Sequence, residues 1–422
     1  MKYRAEIFDK YQSLYDAMEY SDHQIRCSID FEGKVNAEVL KKAAEILIKT
    51  VPILSRIYID DGDNSYWEDA DAANMKDLFS VTDSKEEFDR FIASRTNEAL
   101  GPQINFCLLQ ADRDTLSAVI NHMVSDAAGF KECMYLFADI YSKIIKNPDY
   151  MPDCIIDGDR GFKDIVSKFS LIKKGRMILF DRQDSNQESR CEYPMSNEGE
   201  MFPFVASREI QTAIFGDMRN CCHKRNVTMN DLILTAYFRA LSEKLNMQGE
   251  ELDVPIMIDM RKYLDDKSFR ALANISSTTI VRACVSQDED FATTLDKVSA
   301  IMRVKKAGNL GITTFIKLDA GSKIPLINFL KTMQKTLKNP KVCMTNIGVL
   351  DSSRLVFENS KVINAAMFAS LKYHPYFQVS VTSFNDKMTL GVALLGCERD
   401  RLDVGKFFDM MTAELEKVKD TY

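Results

Sequence analysis

The chain has 422 residues, 45% hydrophobic and 28% charged, so it holds apolar material for one large core or two medium ones and is neither disordered nor collagen-like. Its 55 basic and 62 acidic side chains leave a net charge of −7, which gives no global attraction for phosphate backbones. The short basic clusters Lys173, Lys174, Arg176 and Arg303, Lys305, Lys306 read as solvated faces, and nucleic acid is not an expected partner.

Charges interrupt every apolar run of the amino-terminal segment, so no secretory signal is expected there. No uncharged apolar stretch approaches the roughly 18 residues of a spanning helix, and the expected location is the cytoplasm. From Gln24 to Phe31, Ile25, Cys27, Ile29 and Phe31 alternate with polar neighbours, the pattern of a half-buried strand. Asn36 then stands as the cap of a helix with Val39, Leu40, Ala43 and Leu47 on its apolar face, ending before Pro52. Asp61-Gly62, between Ile57–Ile59 and Ser65–Trp67, predicts a tight hairpin turn with positive φ at both central residues. The same turn accounts for Asp60, Asp61 and Asp63 without a calcium loop.

Leu116 to Ile120 reads as a short strand, and Phe130, Met134, Phe137, Ala138 and Tyr141 recur at helical spacing. Between them lies Asn121-His122-Met123-Val124-Ser125-Asp126-Ala127-Ala128-Gly129, a strand-to-helix junction that would present His122 and Asp126 at the end of a sheet. The polar, aperiodic stretch over 183–201 marks a crossover between an N-terminal lobe, 1–182, and a C-terminal lobe, 202–422. The second lobe is expected to open on a helix from about Arg208, with Ile210, Ile214 and Met218 on its apolar face. Thr228 and Asp231 form a capping box ahead of a long buried helix. Val254–Met260, Thr278–Ala283, Val342–Ile347, Phe377–Val381 and Met388–Leu395 read as strands, and Phe407–Val418 as a closing amphipathic helix. Both halves mix strands with helices, which fits an α+β architecture of two lobes.

Ten scattered cysteines without a Cys-x-x-Cys pair, and four histidines, give no metal-site spacing; reduced thiols and no metal are expected. His23, His223 and His374 have no partner at recognisable spacing. No phosphate-cradling glycine loop followed by Lys-Ser/Thr and no dinucleotide fingerprint is present, so ATP and NAD chemistry are not expected. His122 with Asp126 four residues on is the strongest chemical signal. An imidazole titrates near neutrality and can take a proton from a hydroxyl or amine and return it to a leaving group. A histidine at a strand end can equally be structural. Asp126 could pair with a distant arginine or cap the following helix.

These residues resemble the His-His-x-x-x-Asp-Gly motif of the superfamily containing chloramphenicol acetyltransferase, nonribosomal peptide condensation domains, alcohol acetyltransferases and polyketide-associated acyltransferases. The likeness extends along the chain. Phe31–Leu40 running into Pro52–Arg56 resembles that family's first strand and helix, and Asn226–Ala236 its helix in the second lobe. Pro255–Arg261 resembles its Asp-x-Arg strand, and Thr345–Gly348 its Asn-x-Gly segment. Asn121 stands where the first histidine would be and Ala127 where glycine follows the aspartate, which leaves Gly129 as the candidate flexible residue of the turn.

The resemblance implies two lobes forming a V with a central tunnel, and an acyl group passed from a thioester donor to an alcohol or amine. His122 would be the general base, Asp126 a structural support and Arg261 the ion partner of Asp126. Ser125, Thr345 and Asn346 would contact the oxyanion or substrate. Acyl-coenzyme A is the expected co-substrate, with an acylated carrier protein as the alternative donor and partner. No permanently bound cofactor is implied, the acceptor is a small molecule or lipid, and one chain can complete the site as a monomer. A free-standing condensation enzyme and a non-catalytic binding protein of the same fold are the rival readings.

Overall fold

Alternation over Gln24–Phe31 produces β2, whose Ile25, Cys27, Ile29 and Phe31 are buried. Asn36 caps the next helix, its Oδ1 accepting from the Val39 amide at 3.1 Å. The computed structural model describes residues 2–70, 77–180, 191–196, 198–286, 288–308, 310–321 and 341–422.

The first half runs β1 (Lys2–Arg4), α1 (Ile7–Ala17), β2 (Gln24–Phe31), α2 (Ala37–Thr50), β3 (Arg56–Ile59), β4 (Tyr66–Asp69), β5 (Phe79–Thr82), α3 (Lys85–Ile92), β6 (Ile104–Leu109), β7 (Thr115–Asn121), α4 (Ala127–Lys146), α5 (Lys163–Ser167) and α6 (Leu171–Phe180). The second runs β8 (Phe202–Ile210), α7 (Thr212–Arg225), α8 (Met229–Lys244), β9 (Glu251–Asp259), β10 (Ser276–Cys284), α9 (Phe291–Ala307), α10 (Ile312–Gly321), β11 (Val342–Leu350), β12 (Val362–Phe368), β13 (Phe377–Phe384), β14 (Lys387–Gly396) and α11 (Glu398–Glu416). Two main sheets result, ordered β12-β2-β7-β6-β5 and β10-β9-β11-β13-β14-β8, beside a small β1-β4-β3 sheet. One apolar core lies around β2, β7, α2 and α4 and another around α8, β13, β14 and α11. The architecture is α+β with two lobes.

The chain exchanges a strand between the lobes. β12 comes late in sequence but pairs antiparallel with β2, from Val362 opposite Phe31 to Phe368 opposite Arg26. The next strand, β13, returns to the six-stranded sheet, parallel to β11 and antiparallel to β14. A third apolar cluster joins Phe8, Phe162 and Ile165 from the first half to Met260, Ala273, Ile275 and Phe315 from the second. It holds the segment 260–275 against the first lobe.

Several sequence expectations are corrected. The second half opens on a strand, because Phe204 and Ile210 turn inward from β8 at the edge of a sheet, where Pro203 costs no ladder bond. The helix expected from Arg208 therefore starts at Thr212, and Ile210 belongs to the strand. The hairpin at Asp61-Gly62 forms, but Ile59 pairs with Tyr66 and six residues connect the strands. Gly62 alone takes positive φ (+55°), while Asp61 sits at −127°. Ser65 replaces the tight turn by bonding Asp60 and the Gly62 carbonyl. Of the expected crossover, 183–190 and 197 lie outside the described residues. Tyr193, however, is in the second core, stacked on Phe377 at 3.9 Å with its hydroxyl donating to Asp403.

The closing helix begins at Glu398, about two and a half turns ahead of the expected Phe407, because Asp400 completes a cap with the Cys397 amide. The ten cysteines are free thiols. Among the described residues, no group of three or more His, Cys, Asp or Glu could hold a metal ion. None of their helices is long and apolar enough to cross a membrane.

Candidate active site

β7 lies between β2 and β6, so its end is fixed on both sides, and the chain leaves it at Asn121. The Asn121 side chain is fully buried: its Nδ2 donates to Gln103 Oε1 at 3.0 Å and its Oδ1 accepts from the Met123 amide at 2.9 Å. A second histidine at this position would be hard to accommodate in the same role, since the amide serves both directions. His122 follows, its backbone amide bonded to the His23 carbonyl at 2.7 Å.

Asn274, from the segment between β9 and β10, fixes the His122 ring. Its Nδ2 donates to the carbonyls of His122 at 2.7 Å and Met123 at 3.0 Å. That commits the amide nitrogen and leaves Oδ1 facing His122 Nδ1 at 3.0 Å. An amide oxygen accepts only, so Nδ1 carries the proton and Nε2 keeps a free lone pair. Burial pushes the imidazole below its ordinary value, outweighing its own backbone carbonyl, Asp126 and Asn274, while Lys372 adds to the lowering. The residue as a whole is half-buried. At neutral pH the imidazole is therefore uncharged, and its Nε2 has no hydrogen-bond partner among the described residues.

Asp126 caps α4 and pairs with an arginine at once. Oδ1 accepts from the Gly129 amide at 2.9 Å; Oδ2 accepts from Arg261 Nη1 at 2.8 Å and from the Ile275 amide at 2.7 Å. Burial alone would raise its pKa, but Arg261 and the two amides hold the carboxyl below its ordinary value. Arg261 also donates to the Ala273 carbonyl at 3.0 Å, and the Asp126 amide reaches the same carbonyl at 3.3 Å. Asp126 therefore ties α4 to the 261–275 segment rather than facing a substrate.

Gly129 is required for closeness, not for turn flexibility. Neither Ala127 nor Gly129 has positive φ, since Asp126 is the cap and both residues are helical. A Cβ at Gly129 would stand 2.6 Å from Ser125 Oγ and 3.4 Å from Arg261 Nη2. Ala127 is thus unstrained. The buried Ser125 hydroxyl donates to the Asp126 carbonyl at 2.8 Å. Thr345 and Asn346 lie on β11, docked on α4 by Lys131, whose Nζ donates to the Ile347 carbonyl at 2.9 Å. Asn346 is engaged with Asn230 and the Gly348 amide at a β-bulge, where Gly348 has φ +85°. Thr345 is a buried residue, and its hydroxyl has no hydrogen-bond partner among the described residues, although it is not among their sealed, unsatisfied atoms.

The structure thus gathers His122, Ser125, Asp126, Gly129 and Arg261 around one junction and adds Asn274, which sequence reasoning missed. No periodicity marks Asn274, because its segment is neither strand nor helix. Of the other histidines, His23 meets the site through its backbone carbonyl, while its buried ring has Nε2 3.5 Å from Glu98, and His374 Nε2 is 3.8 Å from Glu192.

Residues 273–419, with Asn274 near their start, match the family model described as the WS/DGAT C-terminal domain. No curated protein matches the sequence. Among solved structures, the chain resembles polyketide synthase associated protein 5 from Mycobacterium tuberculosis with a TM-score of 0.70 at 12% identity, covering 99% of this chain and 98% of that one. It resembles the trichothecene 15-O-acetyltransferase of Fusarium sporotrichioides at 0.72 and 11%, covering 99% and 95%. The first condensation domain of the calcium-dependent antibiotic synthetase gives 0.71 and 13%, covering 100% and 97%. The chain shares the two-lobe α+β fold of these acetyltransferase and condensation-domain structures.

Proposed function

We propose that the chain transfers an acyl group from a thioester, coenzyme A being the favoured donor, to the hydroxyl or amine of a small-molecule or lipid acceptor. The observation that carries this reading is His122, a neutral imidazole with Nδ1 committed to Asn274 and Nε2 open. In the proposed step Nε2 takes the acceptor's proton as its oxygen or nitrogen attacks the thioester carbonyl. The tetrahedral oxyanion then collapses, and the imidazolium returns the proton to the leaving thiolate, giving ester or amide and free thiol. Thr345 is the candidate donor to the oxyanion, since the Ser125 and Asn346 side chains are engaged locally. No covalent acyl-enzyme is needed, so the cysteines have no assigned role. The reading places the whole site in one chain acting as a cytoplasmic monomer.

A carrier-protein thioester is the second reading, favoured by the similarity to a condensation domain. The test is thiol release from acyl-coenzyme A esters from acetyl to palmitoyl, with pooled alcohols and amines, followed by acylated carrier proteins. Transfer by wild type, reduced about 100-fold or more in a folded His122→Ala variant, is the expected result. Equal rates in the two proteins would overturn the general-base role. Turnover of acylated carriers alone would select the second reading, and silence with every donor would leave the non-catalytic binder.

A further inference from the structure

Beside His122 lies a group of side chains that the proposed reaction does not use. Lys372 sits in the segment that crosses from β12 to β13, its backbone bonded to Ala393 and Leu395 and bridged to Ser21. The residue is 5% exposed. Among the described residues its ammonium has neither hydrogen bond nor ion pair; its contact is the face of Tyr20, 4.0 Å from the ring centroid. The acid that acts on it electrostatically, Asp22, is already used: Oδ1 accepts from the amides of Gln24 and Leu371, and Oδ2 is paired with the fully buried Arg26. Cys343, also close, is a thiol that burial pushes up to about 11 and supplies no negative charge at neutral pH. A buried ammonium in this setting is costly unless something compensates it.

The walls around it are aromatic. Tyr11, Tyr15, Tyr20 and Tyr376 form a continuous run, with successive ring centroids 4.8, 4.7 and 4.2 Å apart. Tyr15 bonds Tyr11 through their hydroxyls at 2.7 Å, whereas the hydroxyls of Tyr20 and Tyr376 have no hydrogen-bond partner among the described residues. Tyr15, Tyr20 and His122 are set deeply enough that burial is the leading influence on each, yet each keeps some accessible surface. The region that these side chains border is the candidate binding space. Lys372 borders the same region, since it is bridged to Ser21, two residues before His23, whose carbonyl accepts from the His122 amide at 2.7 Å.

We propose that this space receives a carboxylate-bearing substrate, with Lys372 as its counter-ion and the Tyr20 and Tyr376 rings and hydroxyls along its body. The inference rests on the acyl-transfer reading for where the substrate reacts, but not for whether it binds. The carboxylate could belong to the acyl group or to the acceptor, and matched probes separate the two. Succinyl-coenzyme A against butyryl-coenzyme A tests the donor, and 4-hydroxyphenylacetate against its methyl ester tests the acceptor.

Binding is measured by calorimetry and transfer by thiol release, in wild type and Lys372→Met. In at least one pair the wild type is expected to bind the carboxylate member about tenfold or more tightly. In Lys372→Met the two members should fall within about twofold of each other. The variant should melt no lower than wild type, because it removes an uncompensated buried charge. No preference in wild type, or a preference that survives in a folded Lys372→Met, overturns the proposal. A Lys372-dependent preference without transfer supports the anion site while the acyl-transfer reading fails. Transfer without preference does the reverse.

Discussion

At the residue scale, two side chains of the site, Asn274 and Asp126, have over-determined orientations. Asn274 bonds two backbone carbonyls through one end and the imidazole through the other, so its rotation would break three contacts together. Asn274→Ala should free the ring to adopt the other tautomer and lower kcat/KM by about 100-fold, within the range a positioned base contributes. The Asn274 bond favours the charged imidazole, so its removal moves the acid inflection of kcat/KM further below the ordinary histidine value of 6.5. An unmoved pH profile would assign Asn274 to structure alone. Asp126 has the opposite bias. Its depressed pKa stabilises the fold at pH values above the ordinary carboxyl value of 3.8, and that contribution is lost as pH falls through the lower folded value. Asp126→Asn leaves the half-buried Arg261 with Asp259, 3.3 Å away, as its remaining carboxylate and should cost about 2 kcal/mol. Chemical denaturation at neutral pH measures this, and an unchanged midpoint would contradict the structural role.

At the element scale, the strand-to-helix junction was legible in sequence because each half follows a rule of period. Alternation gave β2, helical spacing after Gly129 gave α4, and the Thr228–Asp231 pair formed its capping box as the spacing implied. What could not be read was contact between segments distant in sequence. Asn274 has no local signature, β8 was hidden by helical spacing at Ile210, Ile214 and Met218, and β12 pairs across the chain. Gly129 shows the same limit at one position. The motif pointed to a turn needing conformational freedom, while the reason for glycine is the third dimension: Ser125 and Arg261 approach from outside the helix. Gly129→Ala should therefore destabilise the protein by about 1–3 kcal/mol through overpacking, despite alanine's better helix propensity. Combining it with Ser125→Ala removes the nearest clash and should recover much of the loss. A melting temperature unchanged or raised in the single variant would refute this packing account.

At the scale of the whole molecule, the strand exchange couples the lobes. β12 closes one edge of the first sheet, and without it β2 would present an unpaired row of backbone groups beside its apolar side chains. The third apolar cluster and the Asp126–Arg261 pair add two further ties between early and late segments. A first lobe cut away near the crossover would lose all three at once, so a fragment of residues 1–201 should aggregate or remain unfolded. The full chain offers a direct measure of the coupling. Its single tryptophan, Trp67, is fully buried in the first half, with its indole donating to Asp9 at 2.8 Å, and reports that half alone. Far-ultraviolet dichroism reports helices of both halves. Urea unfolding followed by the two signals should give coincident midpoints, because the first sheet loses its β12 edge, or the second lobe its packing against the first, when the other melts. Separated midpoints, or a soluble 1–201 fragment with native tryptophan emission, would show that the exchanged strand is an ornament on two independent folds rather than the element that makes them one.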